Sequence, residues 1–488
     1  MRDADTDNTK MQDRLALIPV LKDVFGHVKT SPSKRAERIE VADGETYYVT
    51  PAYLHENPER NIYNFPFLFN ASGEPWIEAN AYLLNQVQHK PTLNRPTDDL
   101  RRRASRLIDY SRFLEREGID WLDFSSKRPA QRPTYRYFHH LTSAGTRSSA
   151  VINQYTATVY DFYRFVTREF HINLDLERVD TVKPIRFTVK GQRGARTIDA
   201  EKRSQSLRTP PASSPPIGYV REDGEDLRPL TNPQLAMLSS ELSQPHWSAP
   251  ERLIIQTALF TGARKQSVLT LRMKHLRTFN AQNLSKEGTY QITAKPVNGI
   301  DTKNMKKQTL HFPAQLAEDL VVYANSPLAE THRDKLRARF AKDFPDLPMI
   351  KDEDMYVFLS DQGGAYYMAK NDPRYPIQKY PPSGQVTDTL KRKLLRKMPE
   401  GFPGDFTYHW LRATYAYQYF QYLQKYVNDG RITVTDQITL VQGRLHHAHR
   451  ETTENYLKLF SCIEDRLQAQ ELFEEHAFGD FMRANYEN

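Results

Sequence analysis

The sequence predicts a mainly α-helical protein with a small β-sheet, and three observations support this prediction. Apolar residues recur at helical spacing in segments 97–116 and 146–168, as on the buried face of an amphipathic helix. Two short runs, 290–294 and 308–312, have the length and composition of strands. With 488 residues, the chain exceeds the size of one ordinary domain, so two or three domains are expected.

Composition divides the chain into four segments, namely 1–92, 93–180, 181–226 and 227–488. The first is an irregular N-terminal extension of unknown role, the second a helical domain, and the last a globular domain that ends in an amphipathic helix. The third is predicted to be an extended linker, because Pro and Ser follow a basic stretch in it. Residues 181–210 contain eight Lys or Arg against two Asp or Glu. The linker either follows a phosphate backbone or is a solvated tether.

Charge and cysteine content limit the classes of function. The formal net charge is +8, from 68 basic and 60 acidic residues, which suits a polyanionic partner. No apolar run approaches the about 18–20 residues that span a bilayer, and the N-terminus lacks the apolar core of a signal peptide, so a cytoplasmic location is expected. The single cysteine, Cys462, excludes an intrachain disulfide and a multi-Cys zinc site.

Four separated segments contain residues suited to phosphate chemistry: TGAR (261–264), TK (302–303), HWLR (409–412) and LHHAHRETTENY (445–456). In the third segment, a spacing of three residues puts His409 and Arg412 on one helix face, so both can reach one phosphate. Each segment alone is a weak signal. Their order and combination are more specific.

The series Arg264, Lys303, His409 with Arg412, His447 and, nine residues later, Tyr456 resembles the tyrosine recombinase (phage integrase) family. The resemblance covers about 95–170 and 228–460. It implies a helical core-binding (SAM-like) DNA-binding domain followed by a mixed α+β catalytic domain. Two positions depart from the family pattern, since His446 stands where the family has glycine and Ser267 where it commonly has an acidic residue.

The resemblance also implies a role for each residue. Tyr456 attacks the scissile phosphorus to form a 3′-phosphotyrosine, while Arg264 and Arg412 hold the non-bridging oxygens with two-pronged contacts. His409 is the candidate base and His447 assists the phosphate or the proton transfer. Lys303 is the expected acid for the leaving 5′-oxygen, with Lys306 as the alternative.

The implied function is site-specific DNA recombination, with integration or excision of a mobile element as the role given by family analogy. The expected partners are double-stranded DNA, three further copies of the chain in a tetramer on DNA, and accessory recombination proteins. No cofactor or metal is expected, because the phosphotyrosine retains the energy of the broken bond. The basic residues expected to contact DNA are Arg101, Arg102, Arg106, Arg193 and Arg196.

Three alternatives stay open at this stage. A type IB topoisomerase shares the active-site chemistry but rejoins the same strand. A catalytically inactive DNA-binding protein could use the same fold. The histidines at 446, 447 and 449 could form a metal site, although adjacent histidines on a helix cannot both face one ion.

Overall fold

The computed structural model describes residues 14–22, 24, 37–40, 44, 46–49, 61–87, 95, 97–191, 194–209, 213–216, 218–447 and 453–454. Over these residues the chain is mainly helical with small two-stranded antiparallel sheets, which confirms the predicted fold class. The chain divides into two compact units, Met1–Ser213 and Ser214–Asn488. The division falls within the segment predicted to be a linker.

Among its described residues, the first unit combines three strand pairs with five α-helices. The pairs are β1 (Leu15–Leu21) with β4 (Ile62–Leu68), β2 (Glu37–Glu40) with β3 (Thr46–Val49), and β5 (Val182–Gly191) with β6 (Gly194–Arg203). The helices are α1 (Ile77–Asn85), α2 (Thr97–Glu117), α3 (Pro133–Ser143), α4 (Ser149–Glu169) and α5 (Leu176–Val179).

One apolar core holds the first unit together. Helices α2 and α4 are the two helices predicted from apolar spacing, and their inward faces supply buried side chains such as Leu107 and Phe162. Phe65 and Tyr82, from β4 and α1, belong to the same core. The described part of the N-terminal extension that contains β4 and α1 therefore shares a core with the helices, and the predicted boundary near residue 92 does not separate two cores.

The hairpin of β5 and β6 differs from the extended linker predicted at 181–226. Its two ten-residue strands pair in register from Val182 opposite Arg203 to Gly191 opposite Gly194. Val182, Ile185 and other strand-favouring residues lie among basic ones, and the density of charge masked the strand pattern. The hairpin is anchored at its base, where the amide of Ser204 donates to the carbonyl of Thr181 at 2.9 Å.

The second unit contains two hairpins and nine helices among its described residues. The hairpins are β7 (Val220–Glu222) with β8 (Glu225–Leu227), and β9 (Thr289–Ala294) with β10 (Gln308–Pro313). The helices are α6 (Asn232–Leu242), α7 (Ala249–Thr261), α8 (Lys265–Leu269), α9 (Met273–Leu276), α10 (Ala314–Ala324), α11 (Pro327–Asp343), α12 (Val386–Lys397), α13 (Trp410–Asn428) and α14 (Val434–Leu445).

The core of the second unit positions the helix and strand ends that form the site. Ile254 and Ala258 of α7 pack in the same cluster as Trp410 of α13 and Phe312 of β10. The strands β9 and β10 match the two predicted strand segments within one residue at each end. None of the helices in the described ranges combines the length and apolar composition needed to cross a membrane.

Gly262→Ala is expected to destabilise the second unit. Gly262 ends α7 with φ 64°, and a Cβ there would lie 2.5 Å from Cδ1 of Tyr415. The added methyl therefore brings both backbone strain and overlap with a ring, which together should lower the free energy of unfolding by about 2–3 kcal/mol. Denaturant unfolding of the second unit measures this loss.

Gly443→Ala is the matched control for this substitution. Gly443 lies inside α14, and a Cβ there would meet nothing within 4 Å. Alanine should raise the free energy of unfolding by about 0.5–1 kcal/mol, because it is the better helix former. The same sign for both substitutions would contradict the conformational role assigned to Gly262.

Candidate active site

Arg264 reaches the site from the turn that follows α7. It is the residue immediately before α8, and its side chain is 13% exposed. Its Nη2 donates to the Glu222 carboxylate, and its Nε donates to Oδ2 of Asp223 at 3.3 Å. One guanidinium thus contacts two neighbouring carboxylates on the turn between β7 and β8.

Arg412 lies in the first turn of α13 and is buried. Its Nη1 donates to the carbonyl of Gly262 at 2.6 Å, and its Nη2 donates to the carbonyl of Leu445. Its Nε lies 3.7 Å from Oε1 of Glu222. Arg412 therefore joins the ends of α7 and α14, and its orientation differs from the two-pronged phosphate contact expected from the sequence.

Two histidines face the same carboxylate from different elements. Nε2 of His409, at the start of α13, lies 4.0 Å from Oε2 of Glu222. Nε2 of His447, just beyond α14, lies 3.9 Å from Oε1 of Glu222, and its Nδ1 lies 3.0 Å from Oγ1 of Thr453. Burial lowers the pKa of His409 to about 4, against the opposing effect of Glu222. Burial, then Arg412, lowers the pKa of His447 to about 3, so both rings are neutral at pH 7.

His446 ends α14 in the left-handed conformation, with φ 53° and ψ 38°. A residue without a Cβ adopts this conformation at the least cost, which accounts for glycine at this position in the family that the sequence resembles. Here Nε2 of His446 lies 2.9 Å from the carbonyl oxygen of Thr309 and 3.1 Å from its amide nitrogen. The histidine therefore links the end of α14 to β10.

Lys303 lies on the loop between β9 and β10. Two hydroxyl groups, one from α8 and one from the residue after it, hold this loop at Asp301, two residues before Lys303. The Ser267 hydroxyl donates to the carbonyl of Asp301 at 2.7 Å, and the amide of Asp301 donates to Oγ1 of Thr270 at 2.9 Å. The ammonium of Lys303 forms an ion pair with Asp223. Lys303 and Lys306 line one surface opening of the second unit, so the choice between the two lysines as the acid stays open.

One buried carboxylate lies at the centre of these groups. Glu222 is 7% exposed, and the two arginines and two histidines described above all lie within 4.0 Å of its oxygens. Burial alone would raise its pKa, but the charges of Arg412 and Arg264 outweigh that effect and lower the pKa to about 2. Glu222 is therefore ionised, and the predicted cationic and polar residues converge on an anion.

Glu222, Asp223 and Thr453 are the site residues that sequence reasoning did not identify. Asp223 and Gly224 form the two-residue turn between β7 and β8, with φ values of 57° and 84°. An Asp-Gly pair is a recognised signal for such a turn. That signal predicts the turn, but it does not predict that the adjacent carboxylates enter the site.

Glu222, Asp223 and His409 bring together three side chains of types that can ligate a metal. Their ligand atoms lie within 4.8 Å of one another. The same two carboxylates, however, contact Arg264, and Asp223 also pairs with Lys303. A divalent cation there would be repelled by fixed positive charge, so the donor set does not fit a metal.

Two openings meet at the pair formed by Asp223 and Arg264. One, of about 430 Å³, extends toward His409, Arg412 and Lys391. The other, of about 360 Å³, extends toward Lys303, Lys306 and His447. The cluster of charged groups therefore lies in a cleft that is accessible from both sides.

The other predicted residues are placed only in part. Tyr456 and Arg193 lie outside the described residues, as does the side chain of Arg196 on β6. On α2, Arg102 is exposed and Arg101 is half-buried. Arg106 donates from Nη2 to Oε1 of Gln154 at 2.5 Å. The predicted terminal helix at 463–487 also lies outside the described residues.

No model of a known protein family matches the chain, and no curated protein matches its sequence. Solved structures do match. The XerH site-specific recombinase, bound to palindromic difH substrate in a post-cleavage complex, is 14% identical with a TM-score of 0.37 over 81% of this chain and 88% of XerH. The Tn1549 transposon integrase, in complex with transposon right end DNA, is 13% identical with a TM-score of 0.36 over 81% and 98%. Identities and TM-scores at this level carry no functional conclusion for this chain.

Lowering the pH is expected to destabilise the second unit already at pH values well above the pKa values of its buried histidines. His275, His409 and His447 have folded-state pKa values of about 4, 4 and 3, below the ordinary 6.5. The unfolded chain thus binds more protons between about pH 4 and 6.5, and the free energy of unfolding falls as pH falls through that range. Each histidine contributes at most about 1.4 kcal/mol per pH unit.

Denaturant unfolding at a series of pH values from about 7 to 5 measures this dependence. His447→Asn should reduce the slope, because it removes one group that takes up a proton on unfolding. Stability that stays constant across this range would contradict the neutral, buried state of these rings.

Proposed function

We propose that this chain is a tyrosine-type site-specific recombinase, a DNA strand transferase that cleaves and rejoins DNA through a 3′-phosphotyrosine. The observation that supports the proposal is the convergence of Arg264, Arg412, His409 and His447 on one buried anion. A phosphodiester and a carboxylate are both oxyanions that accept charge-assisted hydrogen bonds. Residues gathered from three separate motifs thus form a site that suits a phosphate.

The cationic residues supply transition-state stabilisation in this proposal. Attack on phosphorus adds negative charge to the non-bridging oxygens, and positive groups already in place there contribute on the order of 3–4 kcal/mol each. Arg264 offers the planar fork of donors, since its side chain reaches both carboxylates of the β7–β8 turn. Arg412 offers Nε, while its contacts to Gly262 and Leu445 hold that nitrogen in place.

The neutral histidines supply proton transfer. A tyrosine hydroxyl has an ordinary pKa near 10, so it needs a base or nearby positive charge to attack at neutral pH. His409 is neutral and is assigned as the base, with His447 assisting at the phosphate. Tyr456 is assigned as the nucleophile, and it follows Thr453, the hydrogen-bond partner of His447, by three residues in the sequence.

The wider assignments follow from the same proposal. The substrate is double-stranded DNA, recombined in a tetramer of this chain for integration or excision of a mobile element, with accessory recombination proteins as further partners. Residues 93–180 serve as the helical DNA-binding domain, through basic residues of α2 such as Arg102. The reaction needs neither a nucleotide cofactor nor a metal, because the phosphotyrosine retains the bond energy.

Tyr456→Phe is expected to abolish covalent joining to DNA and to leave DNA binding nearly unchanged, because it removes one hydroxyl and no charge. The measurement is trapping of a protein–DNA adduct on a nicked target duplex. Tyr380→Phe, which alters an exposed tyrosine of the same unit, is the matched control and should retain the adduct.

The outcomes of this experiment separate the alternative functions. A covalent adduct that still forms with Tyr456→Phe would contradict the assignment of Tyr456 as the nucleophile. Wild-type binding with no adduct would point to an inactive DNA-binding protein. Exchange between two labelled duplexes separates a recombinase from a type IB topoisomerase, which rejoins the original strand.

Replacing the bridging 5′-oxygen of the scissile phosphate by sulfur should identify the lysine that protonates the leaving group. A thiolate leaves without a proton, so loss of the general acid slows cleavage of normal DNA but not of the sulfur substrate. We expect Lys303→Ala to show this rescue, with Lys306→Ala as the control from the same loop. Rescue in Lys306→Ala alone would move the assignment by three residues, and rescue in neither would transfer it to His447.

A further inference from the structure

The groups that would hold a scissile phosphate already hold carboxylates of this chain. Arg264, Arg412 and both histidines face Glu222, while Lys303 and Arg264 contact Asp223. These two acidic residues lie side by side at the tip of the short hairpin formed by β7 and β8. The tip therefore occupies the anion site that the proposed function assigns to DNA.

Glu222 takes Nη2 of Arg264 and faces Nε of Arg412, which are donors that the proposed function assigns to the phosphodiester. Glu222 is buried, and the adjacent arginines lower its pKa to about 2, so protonation does not neutralise it near pH 7. Two anions within a few ångströms in a poorly solvated site repel each other strongly. A bound phosphate must therefore displace the carboxylate of Glu222.

We propose that the Glu222–Asp223 turn is an internal phosphate mimic, which blocks the site in the DNA-free chain and withdraws when a backbone phosphate enters. The inference rests on the proposed function. It makes the turn an autoinhibitory contact, and it adds an anion-binding step that precedes attack by the tyrosine.

The hairpin is built so that its tip can change while its base stays in place. Val220 and Leu227, at the open end of the two strands, are buried in the core of the unit. The indole nitrogen of Trp410 donates to the carbonyl of Asp226 at 3.0 Å. The acidic tip is held instead by ion pairs, which exchange for other ion pairs when an anion enters.

The mimic also discriminates among anions. A single inorganic phosphate must compete with two tethered carboxylates, whose local concentration is fixed by the chain. A DNA duplex brings further phosphates that bind elsewhere on a basic protein, and that binding energy can offset the displacement of the turn. The site is thereby kept from small phosphates until DNA is bound.

Glu222→Gln tests the proposal, because glutamine keeps the size of the side chain and removes its charge. The first measurement is the affinity of the full-length chain for inorganic phosphate, by calorimetry or phosphorus NMR. If the blocked state is about 90% populated in the wild type, the variant should bind about tenfold more tightly. The second measurement is the rate of adduct formation on a nicked duplex, which should rise by a similar factor.

Two further variants complete the design. Glu318→Gln removes an exposed carboxylate of α10 that lines neither opening of the cleft, and it should match the wild type in both measurements. Asp223→Asn removes the second carboxylate of the tip and preserves the turn, because Asn-Gly also favours φ above zero at this position. It should raise phosphate affinity by a smaller factor, about threefold, and it tests the proposal if Glu222→Gln does not fold.

The outcomes separate this inference from the proposed function. Unchanged phosphate affinity in both tip variants overturns the mimic. Slower adduct formation in Glu222→Gln also overturns it, and identifies Glu222 as a positioning residue for the histidines. Tighter phosphate binding with no adduct in any variant, including the wild type, supports the blocked anion site and refutes the proposed enzymatic function.

Discussion

The buried guanidinium of Arg412 is the contact on which the site of the second unit depends. It donates to the carbonyl of Gly262, which follows α7, and to that of Leu445, the last residue of α14, and it turns its remaining nitrogen toward Glu222. The carbonyl groups that it satisfies belong to the segments that precede Arg264 and His447. Loss of this side chain would leave buried carbonyl groups and a buried carboxylate without their donor. Such a loss lowers the free energy of unfolding far more than the loss of an exposed contact does.

The sequence predicts well those features that depend on local pattern or on the order of motifs. Apolar spacing predicts α2 and α4, strand-length segments predict β9 and β10, and the series from Arg264 to His447 predicts which residues of the second unit converge. The β7–β8 hairpin is different. Its strands have three residues each, too few for a periodic pattern, and its carboxylates meet their partners only through long-range folding. Because these strands are short and highly charged, composition places most of the hairpin in the predicted linker, which extends to residue 226.

Ser267 stands where the family that the sequence resembles commonly has an acidic residue, and here its hydroxyl makes a contact of its own. It donates to the carbonyl of Asp301 at 2.7 Å, while the carboxylate of Asp301 accepts from the amide of Lys370. Such a contact is invisible to an argument from spacing, because Ser267 and Asp301 are 34 apart in sequence.

The two walls of the cleft are held by different kinds of contact. One wall, built from α7, α13, α14 and β10, is joined by hydrogen bonds between buried or half-buried groups and by the apolar core. The facing wall consists of the β7–β8 tip and the loop that carries Lys303, and these meet through a half-exposed ion pair. Counterions screen such a pair far more than they screen the buried pairs of Glu222 with the arginines. Ionic strength therefore weakens the contact between the hairpin and the lysine loop, while the arginines and histidines keep their mutual distances.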